Sequence, residues 1–382
     1  MRNAAILILC ILWTLGAFAQ PVVVLSFDAL AADAFTEATM PRLWALSRKG
    51  LRGRVLPPSP STTFNGHATH ATGCWPEHHG IVANAYLDPA TGWVRHAAVA
   101  EQLLREPLWV AATRSGKRTA VFGWPCATGP WQGVRPWRLR PFDPKDSQAF
   151  TLRAVSRALD EGAELVMAYL PGVDEAGHRH GPGSRAWRAE LARIDTALGA
   201  WIPQAQARHR NLRLVLTADH GMAAPVRRID LAPLAGPETL RIQAHGLSAS
   251  FHLRPGSDPG PLLARCRAAG LEAWSRTELP RALHLSGSPR TGGVVVQAPA
   301  DAWLSQGATE EARREEAGTR RGAHGSLRPS PELQGWLLVL GVRARGEIPA
   351  FALWDLAPTV AAWLDITWAQ APDGRAVPAL RP

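Results

Sequence analysis

Lysine is nearly missing from this chain: among 42 basic residues only Lys49, Lys117 and Lys145 are lysines, and all the others are arginine. The formal charge of +10 is scattered along an Ala-, Gly- and Pro-rich sequence with no basic block and no basic helix. A nucleic-acid protein gathers its cations on one face to neutralise phosphates and release counterions. No stable nucleic-acid partner is expected here, only a mild attraction for small anions. Cysteine is equally sparse, with Cys10, Cys74, Cys126 and Cys266 at no metal-like spacing, which argues against a thiolate zinc site or a disulfide scaffold. Beyond the first residues no apolar run approaches the ~20 residues a membrane span needs, so no transmembrane segment is expected in the mature chain.

What is present begins with MRNAAILILCILWTLGAFAQ: one positive residue at Arg2, an apolar stretch from Ala4 to Gly16, and a small-x-small end at Ala17-Phe18-Ala19. This is the layout of a signal peptide, with cleavage expected after Ala19 and a secreted or periplasmic mature chain. Removal discards Cys10 and leaves an odd number of cysteines, so one disulfide is possible without an assigned pairing. With 46% hydrophobic and 19% charged residues the chain is ordinary for a globular protein, and 382 residues suffice for one large domain carrying an insertion or for two domains.

Apolar runs recur at residues 22–27 (VVVLSF), 119–124 (TAVFGW), 165–170 (LVMAYL) and 212–218 (LRLVLTA), separated by amphipathic segments. Buried runs alternating with helices predict a mostly parallel sheet covered on both faces. Ligands in such sheets sit beyond the carboxyl ends of the strands. Three clusters fall there: Asp28 after VVVLSF, Asp174 and His178 in DEAGH, and Asp219-His220 in TADHG; His324 in GAHG joins them. Carboxylate and neutral imidazole are the ligands a divalent ion such as zinc takes, and this set suffices for two ions that clamp a phosphoryl group. The four-residue spacing of Asp174 and His178 puts both side chains on one side of a helix.

Residues 58–84, PSPSTTFNGHATHATGCWPEHHGIVAN, offer hydroxyls at Ser61, Thr62 and Thr63 before a stretch that starts a helix. Backbone N–H groups there favour an anion, and a hydroxyl there becomes a nucleophile when its pKa is lowered. The segment from about 228 to 320 changes texture. RIQAHGLSASFHLR reads as an edge or half-buried strand, PLLARCRAAG as a helix and GGVVVQAP as a strand, which together predict a small α+β insertion. The chain then returns with GWLLVLGV and the helix DLAPTVAAWLDI, capped by Asp355.

These motifs, in this order, resemble the nucleotide pyrophosphatase/phosphodiesterase family of the alkaline phosphatase superfamily, from Val22 to about Ala376. The resemblance implies a three-layer αβα sandwich in which residues 20–227 and 321–382 form the catalytic domain and 228–320 an inserted cap module. It makes Thr63 the nucleophile of the Pro-x-x-Thr-Phe pattern and Asn84 a donor to a phosphate oxygen, helped by the N–H of Phe64. Asp28, Asp219 and His220 with Thr63 resemble the ligands of one ion, and Asp174, His178 and His324 those of the other, with zinc the expected metal. The implied reaction is attack of Thr63 on a small phosphodiester or nucleotide, followed by hydrolysis of the phosphothreonine. Phe64 is placed to stack on a base or pack on a chain. The family's Phe-Pro-Asn-His is Phe64-Asn65-Gly66-His67 here, so the helix start can differ.

Three other readings stand beside this one: a phosphonoacetate-type phosphonate hydrolase, a sulfatase-like esterase, and a non-catalytic exported metal-binding protein. The sulfatase pattern lacks its arginine. His245, in a second AHG, is set aside because it lies inside the insertion. His67, His70, His78 and His79 are read as buttresses or surface, and His180 likewise. Trp124, Trp131 and Trp137 with Arg135, Arg138 and Arg140 read as a surface loop before a leaving-group contact.

Overall fold

An almost unbroken apolar run has no face to show to water, so strand β1 (Val22–Phe27) must be covered on both sides, and all six of its residues are buried. The computed structural model describes residues 20–306, 322–328 and 330–380, and the expected leader, 1–19, lies outside them. β1 sits in a large sheet of order β2–β15–β8–β1–β7–β5–β6, with two short strands, Gly346–Glu347 and Phe351–Ala352, alongside β2. The members are β2 (Leu51–Leu56), β5 (Thr119–Phe122), β6 (Arg138–Arg140), β7 (Leu165–Leu170), β8 (Arg213–Thr217) and β15 (Gly335–Leu340). From β8 through β6 the pairing is parallel, while β15 runs antiparallel to β8 and to β2. The mostly parallel α/β sheet expected from the apolar runs is therefore present.

Alternate residues of β1 divide between two cores. Val22 and Val24 share one with Ala68 and Ala71 of α2 (Thr63–Thr72), with α4 (Leu108–Arg114) and with the helix Leu356–Trp363. Val23, Leu25 and Phe27 share the other with α5 (Gln148–Asp160), α7 (Arg185–Arg208) and Leu43 of α1 (Pro41–Ser47). α7 shows why: Trp187, Leu191, Ile194, Leu198, Ile202 and Ala205 recur every three or four residues and form one buried stripe. Ser184 starts that helix by accepting from the N–H of Trp187 at 3.2 Å.

A second, antiparallel sheet of order β10–β11–β13–β12 comprises Thr239–Ala244, Ser248–Leu253, Val294–Gln297 and Glu272–Ser275 in that order. It packs α8 (Gly260–Ala268) onto its own core of Phe251, Leu262, Cys266, Val294 and Val296. β9 (Arg227–Asp230) pairs with β14 (Ala302–Ser305) beside it. Residues 241–254, expected as one strand, are two: the chain reverses between β10 and β11, where Gly246 has φ +101° and a Cβ would lie 2.3 Å from the carbonyl oxygen of His324. Only glycine allows that approach. Arg290 fastens this sheet to the main body. Its Nε donates to Asp88 at 2.6 Å, and its Nη1 to the carbonyls of Gly80 and Gln102.

Two local expectations are corrected. Asp355 stands before the helix Leu356–Trp363 but makes no cap bond to it; its Oδ1 accepts instead from the N–H of Arg375 at 2.9 Å. Trp124 and Trp131 are buried in the first core rather than on a surface loop, and the ring of Trp137 meets the guanidinium groups of Arg118 and Arg138. Cys74, Cys126 and Cys266 are free and buried, so the possible disulfide is not formed.

Candidate metal centre

Asp28, Asp174 and Asp219 arrive from the carboxyl ends of three adjacent strands, because β1 lies between β7 and β8 and all three run parallel. β7 leads into α6 (Gly172–His180), which begins two residues before Asp174 and carries His178 one turn later. β8 leads directly to Asp219 and His220, and His324 follows the second sheet in the sequence. The structure gathers the six into two groups, Asp28–Asp219–His220 and Asp174–His178–His324, with the ligand atoms in each all within 4.8 Å of one another. The imidazoles of His220 and His324 stack across the boundary, with centroids 4.1 Å apart.

The hydrogen bonds fix which atoms face inward. Nδ1 of His178, His220 and His324 lies 2.9–3.0 Å from the carbonyl oxygens of Gly322, Gly221 and Ser61. A carbonyl only accepts, so each Nδ1 carries the proton and each Nε2 presents a lone pair. Nε2 of His178 and Nε2 of His324 then face one another at 3.0 Å, with Oδ1 of Asp174 at 3.2 and 3.5 Å. In the other group Oδ2 of Asp28 accepts from the hydroxyl of Tyr169 at 2.5 Å, and Oδ1 of Asp219 from the N–H of Ala29 at 3.3 Å. Oδ1 of Asp28, Nε2 of His220 and Oδ1 of Asp174 are left buried without a donor, and Oδ2 of Asp219 has only the Nδ1–H of His67, 3.3 Å away and already donating to the carbonyl of Thr63.

Converging acceptors with no proton among them are costly unless a cation supplies the missing charge, so both donor sets fit a divalent ion. The electrostatics agree. Burial and the neighbouring Asp219 and Asp174 push Asp28 well above the usual carboxylate range. Burial would raise Asp219 too, but His220 and His67 outweigh it and hold it at about 2. His324 is driven well below the usual imidazole range by burial and by His220.

Thr63 is the first residue of α2, while Ser61 and Thr62 precede the helix; Oγ of Ser61 is taken by the N–H of Ser326 at 3.1 Å. Thr63 lines the same cleft as Asp28, Asp174, His178 and His324. At the departure from the family pattern, Nδ2 of Asn65 donates to the carbonyls of Ser59 and Pro60, tying the helix start to the turn before it. At Gly66 a Cβ would lie 2.8 Å from Cβ of Asp219, so glycine lets the first turn of α2 rest against that residue. Phe64 and Asn84 were both expected to donate to phosphate, yet here the N–H of Phe64 donates to Oδ1 of Asn84 at 2.9 Å. That turns the NH2 end of the Asn84 amide away from Phe64.

The cleft, of about 280 Å³, is also lined by residues outside the sequence motifs. Arg95 and His96 come from the end of the hairpin of β3 (Ala85–Asp88) and β4 (Gly92–Arg95), and Gln243 and Trp303 from the second sheet and β14. The imidazole of His96 lies parallel to the ring of Phe64, with centroids 5.3 Å apart. Tyr169 was also missed, although it lies inside a recognised strand. His245, set aside earlier, lines the cleft and packs its backbone against Gly325, but its Nε2 turns to Ser250 at 3.3 Å and it joins neither donor set. His67, His70 and His79 are buried buttresses, His78 pairs with Asp373, and His180 is exposed.

A parallel sheet with two such donor sets at the ends of its central strands, and a hydroxyl at the start of the adjoining helix, defines the alkaline-phosphatase-like α/β class. Residues 22–327 match the family described as type I phosphodiesterase / nucleotide pyrophosphatase, and the chain belongs to it. An uncharacterized pyrophosphatase/phosphodiesterase of Schizosaccharomyces pombe is 32% identical over 54% of this chain and 45% of its own length. Human ectonucleotide pyrophosphatase/phosphodiesterase family member 7 is 29% identical over 60% of this chain and 56% of its own. The chain thus spans about half the length of these curated relatives. Solved murine ectonucleotide pyrophosphatase / phosphodiesterase 5 superposes with a TM-score of 0.84 at 22% identity, covering 93% of this chain and 97% of that one, a likeness of fold. An inactive threonine-to-alanine variant of that murine protein, in complex with AMP, gives the same score.

Proposed function

We propose that this chain is an exported hydrolase of phosphodiester or pyrophosphate bonds in small molecules of nucleotide type, working with two zinc ions and a covalent phosphothreonine at Thr63. One observation carries the reading: two groups of carboxylate and imidazole acceptors, Asp28–Asp219–His220 fully buried and Asp174–His178–His324 partly so, converge beside a hydroxyl at the start of α2. Asp28, Asp219 and His220 would hold one ion next to Thr63, and Asp174, His178 and His324 the other. Bound there, the ions supply Lewis acidity and neutralise charge on the phosphoryl oxygens.

The chain's own residues do the rest. Thr63 attacks phosphorus in line, forming the Thr63 O–P bond as the bond to the leaving oxygen breaks. The Thr63 hydroxyl proton passes to the leaving oxygen; water then cleaves the Thr63 O–P bond, returns a proton to the threonine oxygen and releases the monoester. The NH2 group of Asn84, fixed by its bond to Phe64, donates to a phosphoryl oxygen whose charge grows in the transition state. Nucleotides are favoured by the family and by the AMP held in the murine relative. The signal-peptide-like layout of the sequence at residues 1–19 supports export.

Thr63→Ala tests the assignment. Turnover of nitrophenyl phosphodiesters by the zinc-loaded chain should be lost while metal analysis still finds close to two zinc per chain; retained turnover sinks the nucleophile. A panel of nucleoside triphosphates, dinucleotides, glycerophosphodiesters and phosphonoacetate decides the substrate, and activity confined to phosphonoacetate would overturn the diesterase reading.

A further inference from the structure

Tyr169 belongs to neither donor set, yet it determines what Asp28 can offer. β1 and β7 run parallel with Ser26 opposite Tyr169 and Phe27 opposite Leu170, so the tyrosine stands one strand across and two residues short of Asp28 in register. From there its hydroxyl reaches Oδ2 of Asp28 at 2.5 Å. The ring is held in that orientation from two sides. His67 meets it edge-on with centroids 4.9 Å apart, and Phe142 does so at 5.7 Å. His67 is itself fixed, with Nε2 at 2.9 Å from the hydroxyl of Ser26 and Nδ1 donating to the carbonyl of Thr63 at 2.8 Å.

The consequence is an asymmetry in the two carboxylates. Each has one oxygen engaged by an inflexible donor, Tyr169 for Asp28 and the N–H of Ala29 for Asp219. Each has its other oxygen turned toward Nε2 of His220, at 3.5 Å for Oδ1 of Asp28 and 3.1 Å for Oδ2 of Asp219. Without the tyrosine, Oδ2 of Asp28 would be a second buried oxygen lacking a donor, and the carboxylate would be free to rotate.

Resting on the metal reading above, we infer that Tyr169 is a positioning residue that makes Asp28 a one-oxygen ligand and thereby sets the zinc affinity of the Asp28–Asp219–His220 group. It acts through Asp28. A residue that orients a ligand from outside the donor set is commonly worth about 10–100-fold in metal affinity.

The experiment is zinc titration of the full chain against a competing chelator. Tyr169→Phe keeps the ring and removes only the hydroxyl. Zinc affinity should fall about 10–100-fold at one of two sites, whereas His178→Ala should weaken the other. Tyr169→Phe binding two zinc ions with unchanged affinity, or losing only thermal stability, overturns the inference. A measurement on the unmutated chain serves if the variant fails to fold. Tyrosine occurs only twice, as Tyr86 and Tyr169. With carbon-13-labelled tyrosine, one ring signal should shift as zinc is added and the other stay put. Two unmoved signals at full zinc occupancy overturn the inference, and a wild-type chain that takes up no zinc sinks the metal reading and this inference with it.

Discussion

The N–H of Phe64 donates to Oδ1 of Asn84 at 2.9 Å, joining the residue after the candidate nucleophile to one that follows it by 20 positions. The bond occupies the oxygen end of the Asn84 amide and so turns its NH2 end outward. Asn84→Ala removes the donor and leaves the Phe64 N–H unpaired. Diester kcat/KM should fall about 10²–10³-fold with zinc content unchanged. Asn84→Asp keeps the acceptor for Phe64 but places a negative charge where the phosphoryl oxygen would sit; its activity should fall at least as far while its Tm stays close to wild type. Asn84→Asp retaining full activity would show that the amide donates to nothing that matters.

Gly66 lies in the first turn of α2, where alanine would ordinarily favour the helix by up to about 1 kcal/mol. Here that gain is outweighed. The added Cβ would stand 2.8 Å from Cβ of Asp219, which is anchored directly to the backbone at the end of β8 and cannot swing away. Gly66→Ala should therefore cost about 1–3 kcal/mol in unfolding free energy. Displacing Thr63 from the donor sets should cut kcat by about 10²-fold. Equilibrium denaturation and steady-state kinetics check the two figures, and a stabilised, fully active variant would refute the close approach.

Acid should unfold the chain through histidines that hold no metal. His79 is buried, accepts from the N–H of Ile81 at Nδ1, and has Nε2 2.9 Å from the hydroxyl of Thr69. Burial, with His78 and Arg290 nearby, lowers its pKa to about 3 from the ordinary 6.5. The unfolded chain takes up this proton near pH 6.5 and the folded chain does not until about pH 3. The contribution is fully present above pH 6.5 and is lost as pH falls through that window, at about 1.4 kcal/mol per pH unit. His79→Gln can keep the bond to Thr69 and cannot titrate. The stability difference between wild type and variant should shrink as pH falls from 6.5 to 4, and a pH-independent difference would contradict the buried neutral state.

The fold was legible where burial dictates composition. Val22–Phe27 and Leu165–Leu170 read as buried strands because a strand covered on both faces has no room for polar residues. It was not legible at the reversal between β10 and β11, where alternation continues through Gly246 and only the carbonyl of His324, far along the chain, demands the turn. Tyr169 was hidden for a related reason. Inside an apolar strand it reads as one more large side chain, and the hydroxyl's partner belongs to the neighbouring strand. Arg95, His96 and Trp303 carry no local pattern, since they meet only where the hairpin, the second sheet and β14 line one cleft.

By itself the sequence determined the chemistry on offer: acids and imidazoles placed after apolar runs, in an order and at spacings that resemble one family, with a threonine at a helix start. Tertiary structure alone decided which acceptors share a cavity, which oxygen of each carboxylate is spoken for, and which ring nitrogen faces inward. The physical reason is distance. Residues fixed by local burial leave a signature within a few positions, whereas His178 and His324 stand 146 residues apart and share a site only because separate strands and loops deliver them to the same end of one sheet.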